Sequence, residues 1–226
     1  MQTKCLTLAA ATLLAIPAAN AVIFSDDFSS SSTANISFGY LGGWFSPQVS
    51  FGQWFGNSSE ASISGGTLEV NSTASDARGA FIVLAPEAFP SAGTFTLNYD
   101  ITAFTQGAAA NSATVRVFTG SGYDLTLSSG NALILNPQTG SVTPQGSATA
   151  ALAASTSVTG TGPGSLPFTR GSDDAVAIFF GVSGAAFPFP SMSVDNVSVV
   201  PEPHEYAALA GLGLLGFAVW RRSRRA

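Results

Sequence analysis

The stretch Thr94-Phe95-Thr96-Leu97-Asn98-Tyr99-Asp100-Ile101-Thr102 alternates apolar and polar side chains with a period of two. Successive side chains of an extended chain point to opposite faces, so the apolar set shares one face and the polar set the other. This pattern is typical of a β-strand with one face in a hydrophobic core. The stretch therefore predicts a body built from sheets.

A β-hairpin is predicted around the dipeptide Gly65-Gly66, because two adjacent glycines suit a two-residue turn. That turn pairs Ile63 with Leu68. The next pair on the same face is Ala61 with Val70, so all four apolar side chains face one side. Further strands are predicted at residues 80–84, 114–118, 123–127, 132–135, 175–182 and 192–199.

The apolar phase switches inside the last of these strands. Met192 and Val194 have one parity, and Val197 and Val199 have the other. A β-bulge at Asp195-Asn196 would return both pairs to the core. Residues 140–167, mostly Ala, Ser, Thr, Gly and Pro, predict a long surface loop or a weak edge hairpin. The fold class predicted for residues 22–199 is all-β, an antiparallel β-sandwich.

Residues 1–21 have the features of a secretory signal peptide. They carry Lys4, an apolar core at 6–16 and the small-residue site Ala19-Asn20-Ala21. Signal peptidase would remove them, and Cys5 with them. The mature chain would then have no cysteine, which excludes disulfides, thiol catalysis and cysteine-bound metals.

The end of the chain, residues 200–226, has three unlike parts. Pro201-Glu202-Pro203 predicts an extended hinge at 200–203 that is open to a protease, because proline neither continues a helix nor donates to a ladder. Residues 206–220 carry no charge and predict a transmembrane helix, although about 22 Å of helix is short for a hydrocarbon core of about 30 Å. The basic cluster then follows, and it would stay on the cytoplasmic side: Arg221, Arg222, Arg224 and Arg225.

This end resembles the PEP-CTERM sorting signal of Gram-negative bacteria. The resemblance implies recognition of Pro201, Glu202 and Pro203 by an exosortase, and transient membrane anchoring before release to the cell surface or matrix. It also implies a producer of exopolysaccharide. The alternative is an ordinary, permanent C-terminal membrane anchor with a proline hinge.

The charge and histidine content exclude several activities. Residues 22–199 carry eleven acidic and three basic side chains, so there is no basic surface for nucleic acid. The only histidine of the chain, His204, lies in the predicted hinge. The body thus has no Ser-His-Asp triad and no histidine-bound metal. Nothing in the sequence brings two carboxylates together for glycoside hydrolysis, and we therefore predict no enzyme.

The two ends of the body, 24–28 and 193–199, resemble the first and last strands of jelly-roll carbohydrate-binding modules. In such modules oxygen ligands near these strands hold a structural calcium ion. The resemblance implies that Asp27 and Asp195 would hold it here, and carboxylate oxygens suit this ion. The alternative is that both carboxylates only cap turns at one end of the sandwich.

The segment 38–55 is rich in aromatic residues and glycine, and Trp44-Phe45 and Trp54-Phe55 repeat within it. Flat aromatic rings can stack on sugars, so Trp44 and Trp54 are candidates for a glycan-binding platform. The alternative is that both rings fill the core. We therefore predict a secreted surface or matrix protein associated with exopolysaccharide, the alternative being a secreted carbohydrate-active enzyme.

Overall fold

The structure is a computed structural model, and it describes residues 22–29, 37–38, 51–56, 61–73, 77–123, 131–137, 139–202, 213–214, 216–217 and 220–222. The chain divides into two compact units. One is the body, Val22–Pro201, and the other takes in Met1–Ala21 and Glu202–Ala226. Among the described residues of the second unit, positions 213–214, 216–217 and 220–222 are helical.

The body is made of β-strands. In chain order they are β1 (Phe24–Asp26), β2 (Ser37–Phe38), β3 (Trp54–Gly56), β4 (Ala61–Ser64), β5 (Thr67–Asn71), β6 (Ala77–Leu84), β7 (Gly93–Thr105), β8 (Ser112–Ser121), β9 (Ala132–Asn136), β10 (Ser141–Gln145), β11 (Thr149–Val158), β12 (Gly162–Arg170), β13 (Ala175–Ser183) and β14 (Ser191–Pro201). A 3₁₀ turn, Pro86–Ala88, lies between β6 and β7.

These strands form two six-stranded sheets and one hairpin. Sheet A has the order β12-β7-β14-β5-β4, with β1 also paired to β14. Sheet B has the order β11-β8-β13-β6-β3-β2, and β9 pairs with β10 apart from both. All pairings are antiparallel except β2 with β3. The predicted all-β class is therefore confirmed.

One core lies between the two sheets, and it contains the inward-facing side chains of both. The alternation read from β7 is confirmed, since Phe95, Leu97, Tyr99 and Ile101 are all buried. The facing positions of sheet B include Ile178, and they too are buried. Each fully buried side chain of this size contributes about 1.5–3 kcal/mol, so the core is the main source of stability in a body without disulfides.

The predicted hairpin and bulge are both confirmed. Ile63 pairs with Leu68 and Ala61 with Val70 across the glycine turn. In β14 the register against β7 shifts between Asp195 and Ser198, so that Val197 as well as Val194 is buried. Asn196 at the shift has a positive φ of 50°, a backbone state that asparagine tolerates better than most residues.

The prediction of a loop or weak hairpin at 140–167 is wrong. This segment contains β10, β11 and the first part of β12, and β11 and β12 are full-length edge strands of sheets B and A. Val158 is the one buried side chain of the edge strand β11, so this strand needs no strict apolar alternation. Pro163 and Pro167 are tolerated in β12 because it pairs on one side only. Of the strand predicted at 123–127, Tyr123 is not in a strand and the rest lies outside the described residues.

Candidate functional site

The outer face of sheet B is divided into a covered half and an open half. On the covered half, Phe81, Phe118 and Phe179 form a second hydrophobic cluster with Leu135 of the hairpin β9–β10. Phe81 and Phe179 lie 4.6 Å apart between ring centroids. The hairpin therefore acts as a third layer over this half of the sheet.

Arg116 fixes the tip of this hairpin. Its Nη1 donates to the carbonyl oxygens of Gly140, at 2.8 Å, and Thr139, at 3.3 Å. Gly140 lies flat against the ring of Phe179, where a Cβ atom would come within 2.3 Å of the ring. Any side chain at position 140 would push the hairpin tip away from the sheet. The tip thus contacts both Phe179 and Arg116, and Arg116 marks the border of the covered half.

The open half is lined by hydroxyl groups. On three neighbouring strands, alternate side chains face outward here. The residues next to them in sequence, such as Ala113, Val115 and Val182, point into the core. We name this surface the hydroxyl face, and its residues are Ser112, Thr114, Ser155, Ser157 and Ser183. All five are exposed or half-buried. A flat array of hydroxyl groups can donate to and accept from the hydroxyl groups of a sugar.

Beyond Ser183 the chain enters the loop 184–190, which carries the most exposed large apolar side chain among the described residues. Phe187 is 82% exposed, and its ring meets that of Phe189 edge-on at 5.9 Å. The buried side chain of Asn111 holds this loop by several hydrogen bonds. Sequence reasoning missed this element. The sequence signal that could have identified it is a pair of Phe-Pro dipeptides, at 187–188 and 189–190, in an uncharged connection between two strands.

Trp54 is not a surface platform. Its side chain is 2% exposed and packs at ring-centroid distances of 5.6 Å from Phe28 and 5.9 Å from Phe180. Its Nε1 donates to Oδ2 of Asp26 at 3.0 Å, which satisfies the one polar atom of the ring. The core alternative therefore applies to Trp54. Trp44 lies outside the described residues, and its role as a glycan platform stays a prediction.

The two carboxylates suggested as calcium ligands both accept local hydrogen bonds. Asp27 accepts from the backbone and hydroxyl of Ser29, and these bonds lower the pKa of the carboxyl. Asp195 accepts from the backbone of Asn196 at 2.6 Å. Among the described residues no group of three or more acidic, histidine or cysteine side chains could hold a metal ion. Calcium at Asp27 and Asp195 stays a prediction.

The first residue of the sorting motif belongs to the body. Pro201 is buried at the end of β14, opposite Phe95, and Val200 is half-buried. The predicted accessible hinge is therefore wrong for these two residues. The reason is that only β7 flanks β14 here, so the missing N–H of proline costs no ladder bond, while its ring is buried. Glu202 is described and half-buried, and Pro203 lies outside the described residues.

Arg221 and Arg222 are helical, whereas Arg224 and Arg225 lie outside the described residues, as does much of the predicted span 206–220. Within the described part of the chain, no helix is both long enough and apolar enough to cross a membrane.

No protein-family profile and no curated protein matches the chain. Among solved structures it is similar to the CBM22-2 xylan-binding domain of Xyn10C from Paenibacillus barcinonensis, with 11% identity, 80% of this chain and 99% of that chain covered, and a TM-score of 0.42. It is also similar to the K3 cleaved adhesin domain of Lys-gingipain from Porphyromonas gingivalis, with 16% identity, 79% and 98% covered, and a TM-score of 0.34. These values are low, and the sandwich assignment rests on the strand pairing of this chain.

Proposed function

We propose that this protein is exported to the cell surface or extracellular matrix of a Gram-negative bacterium, where its β-sandwich associates with exopolysaccharide without catalysing a reaction. In this proposal signal peptidase removes residues 1–21. An exosortase then acts at the motif Pro201, Glu202 and Pro203, after transient anchoring by residues 206–220, and because Pro201 is buried at the end of β14, this step requires that end of the strand to open.

The observation that carries the association with polysaccharide is the hydroxyl face. Five exposed or half-buried hydroxyl side chains lie on one face of three adjacent strands, and Arg116 lies at one side of them. Such an array supports hydrogen bonding to sugar hydroxyl groups at several points along a chain. Strand positions hold these groups in fixed register, so a repeating polymer can be bound without rearrangement of the protein.

The test is co-sedimentation of the exported protein with the producer's own exopolysaccharide. A triple variant, Thr114→Val, Ser155→Ala and Ser157→Ala, removes hydroxyl groups with little change in shape, and we expect it to bind about tenfold more weakly. A matched control, Thr94→Val with Thr169→Val, removes hydroxyl groups from the outer face of sheet A, and we expect unchanged binding. Equal binding by both variants would remove the hydroxyl face from the proposal.

The alternative of a secreted carbohydrate-active enzyme is tested in the same tubes. An enzyme would release reducing ends or unsaturated sugars from the polysaccharide, whereas a matrix protein would only sediment with it. Intact mass spectrometry of the protein from cells and medium measures both processing events. We expect a chain that begins near Val22 and lacks the basic cluster Arg221, Arg222, Arg224 and Arg225, and intact arginines would favour a permanent anchor.

The calcium ion at Asp27 and Asp195 remains part of the proposal. A bound ion stabilises only the folded state, so the melting temperature should rise as calcium is added. An unchanged melting curve with calcium and with chelator would remove the ion.

A further inference from the structure

Among the described residues, the end of the sandwich that carries Phe187 consists mainly of uncharged side chains, and half-buried Arg78 of β6, opposite Val182, is a charged side chain beside it. Strand registers bring four segments to this end, because Ser183 lies opposite Ser112, Ser191 opposite both Thr105 and Asn71, and Val158 next to the start of β8. We name it the Phe187 end, and its described segments are residues 71–73, 105–112, 158–162 and 183–191. Not one of these residues is charged.

Asn111 clamps the loop on both sides of Phe187. Its side chain is 4% exposed. Its Oδ1 accepts from the backbone N–H groups of Ala185, at 2.7 Å, and Ala186, at 3.0 Å. Its Nδ2 donates to the carbonyl oxygens of Ala186, at 3.0 Å, and Pro188, at 2.7 Å. The backbone before and after Phe187 is therefore fixed by one buried amide.

The neighbouring turn holds the loop from the other side. The backbone N–H of Ala108 donates to the carbonyl oxygen of Pro188 at 2.9 Å. Gly107 has a φ of +68°, and a Cβ atom there would lie 2.0 Å from that same oxygen. The turn and the loop thus approach so closely that no side chain fits between them.

Phe187 is the large side chain that this clamp presents to solvent. A single exposed apolar side chain needs no explanation by itself. Here, however, its backbone is fixed by buried hydrogen bonds, and the ring of Phe189 supports it edge-on at 5.9 Å. An aromatic ring on a fixed backbone loses little conformational entropy on binding, which is the property of an aromatic anchor.

From this geometry we infer that the Phe187 end binds a polysaccharide that carries no charged groups, with the ring of Phe187 stacked on a sugar. The inference rests on the proposed association with polysaccharide, and it names the binding residue and the class of glycan. The four described segments around Phe187 offer no charged side chain to ionic substituents on a polymer. The eleven acidic side chains against three basic ones in residues 22–199 also repel acidic polysaccharides and anionic membranes.

The experiment uses the exported protein and the producer's exopolysaccharide, separated by anion exchange into an unretained and a retained fraction. Phe187→Ala removes the ring, and Phe187→Trp keeps an aromatic ring at the same place. Leu152→Ala is the matched control, because Leu152 is 55% exposed on the edge strand β11. Vesicles of phosphatidylethanolamine and phosphatidylglycerol serve as the membrane probe.

We expect the unchanged protein to sediment with the unretained, uncharged fraction and with neither the retained fraction nor the vesicles. Phe187→Ala should weaken this binding about tenfold, whereas Phe187→Trp and Leu152→Ala should leave it unchanged. Preference for the retained fraction, vesicle binding that depends on Phe187, or equal binding by Phe187→Ala would each overturn the inference alone. If the unchanged protein binds neither fraction, the proposed function fails as well.

Discussion

The two ends of the sandwich are each fixed by one buried polar side chain, but the two side chains differ in charge. At one end Arg170, 2% exposed, donates to the carbonyl oxygens of Ser91 and Asp174, both at 3.1 Å. Its guanidinium also lies 4.5 Å above the ring of Phe89. At the other end the neutral side chain of Asn111 makes an equivalent set of bonds to the loop 184–190.

This difference determines what surrounds each end. Burial removes water from the guanidinium and lowers the pKa of Arg170, and the nearby Asp174 and Asp173 act against that shift. The charged clamp thus needs its own counter-charges within the same loops. The neutral clamp needs none, and the described segments around Phe187 carry no charge. A buried amide therefore allows an uncharged binding surface that a buried arginine would not.

The largest expected effect is at the charged end. Arg170→Ala leaves several carbonyl oxygens without a donor, and we expect a loss of about 3 kcal/mol in the free energy of unfolding, measured with urea. The control is Arg116→Ala, because half-buried Arg116 also donates to two carbonyl oxygens but holds only the hairpin tip. Arg116→Ala should lower the free energy of unfolding by about 1 kcal/mol. Equal losses for the two variants would contradict the role of Arg170 in holding its end of the sandwich.

The neutral clamp should come next. Asn111→Ala removes donors and acceptors from a buried site, and we expect a loss of about 2 kcal/mol in the free energy of unfolding. Asn131→Ala serves as the control, since the side-chain oxygen of Asn131 accepts from the backbone of Ser147 at 2.8 Å in an exposed setting. That change should cost well under about 1 kcal/mol. If the two variants unfold alike, Asn111 does not hold its end of the sandwich.

A pH titration gives a smaller effect at the charged end. Burial, with a contribution from Glu87, raises the pKa of Tyr123 from 10.0 to about 12. Above pH 10 the unfolded chain loses this proton while the folded chain keeps it, so stability should fall between pH 10 and about 12. Because the side chain is partly exposed, we expect a loss on the order of 1 kcal/mol. In the Tyr123→Phe variant, the free energy of unfolding should change less between pH 10 and about 12. An unchanged pH dependence would mean that Tyr123 is not the group responsible.

The smallest effect should be on the stability of the Phe187→Ala variant. The side chain is 82% exposed, so its removal should change the free energy of unfolding by no more than about 0.5 kcal/mol. Phe168→Ala is the contrast, because that ring is 3% exposed in the core and should cost about 3–5 kcal/mol. A large loss for Phe187→Ala in urea unfolding would mean that the ring supports the fold.

The sequence predicted those parts of the fold in which one face of a strand is buried. The alternation in β7, the glycine hairpin and the bulge in β14 all follow from where apolar side chains must go. The edge strand β11 could not be read in this way, because Val158 is its one buried side chain. In β12 the buried side chains Leu166 and Phe168 do alternate with exposed ones, but glycine and proline fill the first part of that strand.

The site was harder to predict for a related reason. Trp54 and Phe187 are both aromatic residues near glycine and proline, yet one is buried and the other exposed. Whether an aromatic side chain is buried depends on which distant strands pack against it, and the local sequence does not predict that packing. The hydroxyl face also depends on the register of three strands, one of which was not predicted.

The position of β14 affects when the body can fold. It is the last strand of the body in the chain but lies inside sheet A, with β7 along one edge and β5 and β1 along the other. A ribosome makes the chain from its N-terminus, so sheet A lacks this strand until residues 191–201 have been synthesised. Pairings between segments so distant in sequence also form slowly. Sheet A therefore cannot be completed until nearly the whole body has been synthesised, and until then β7 and β5 lack the strand that joins them.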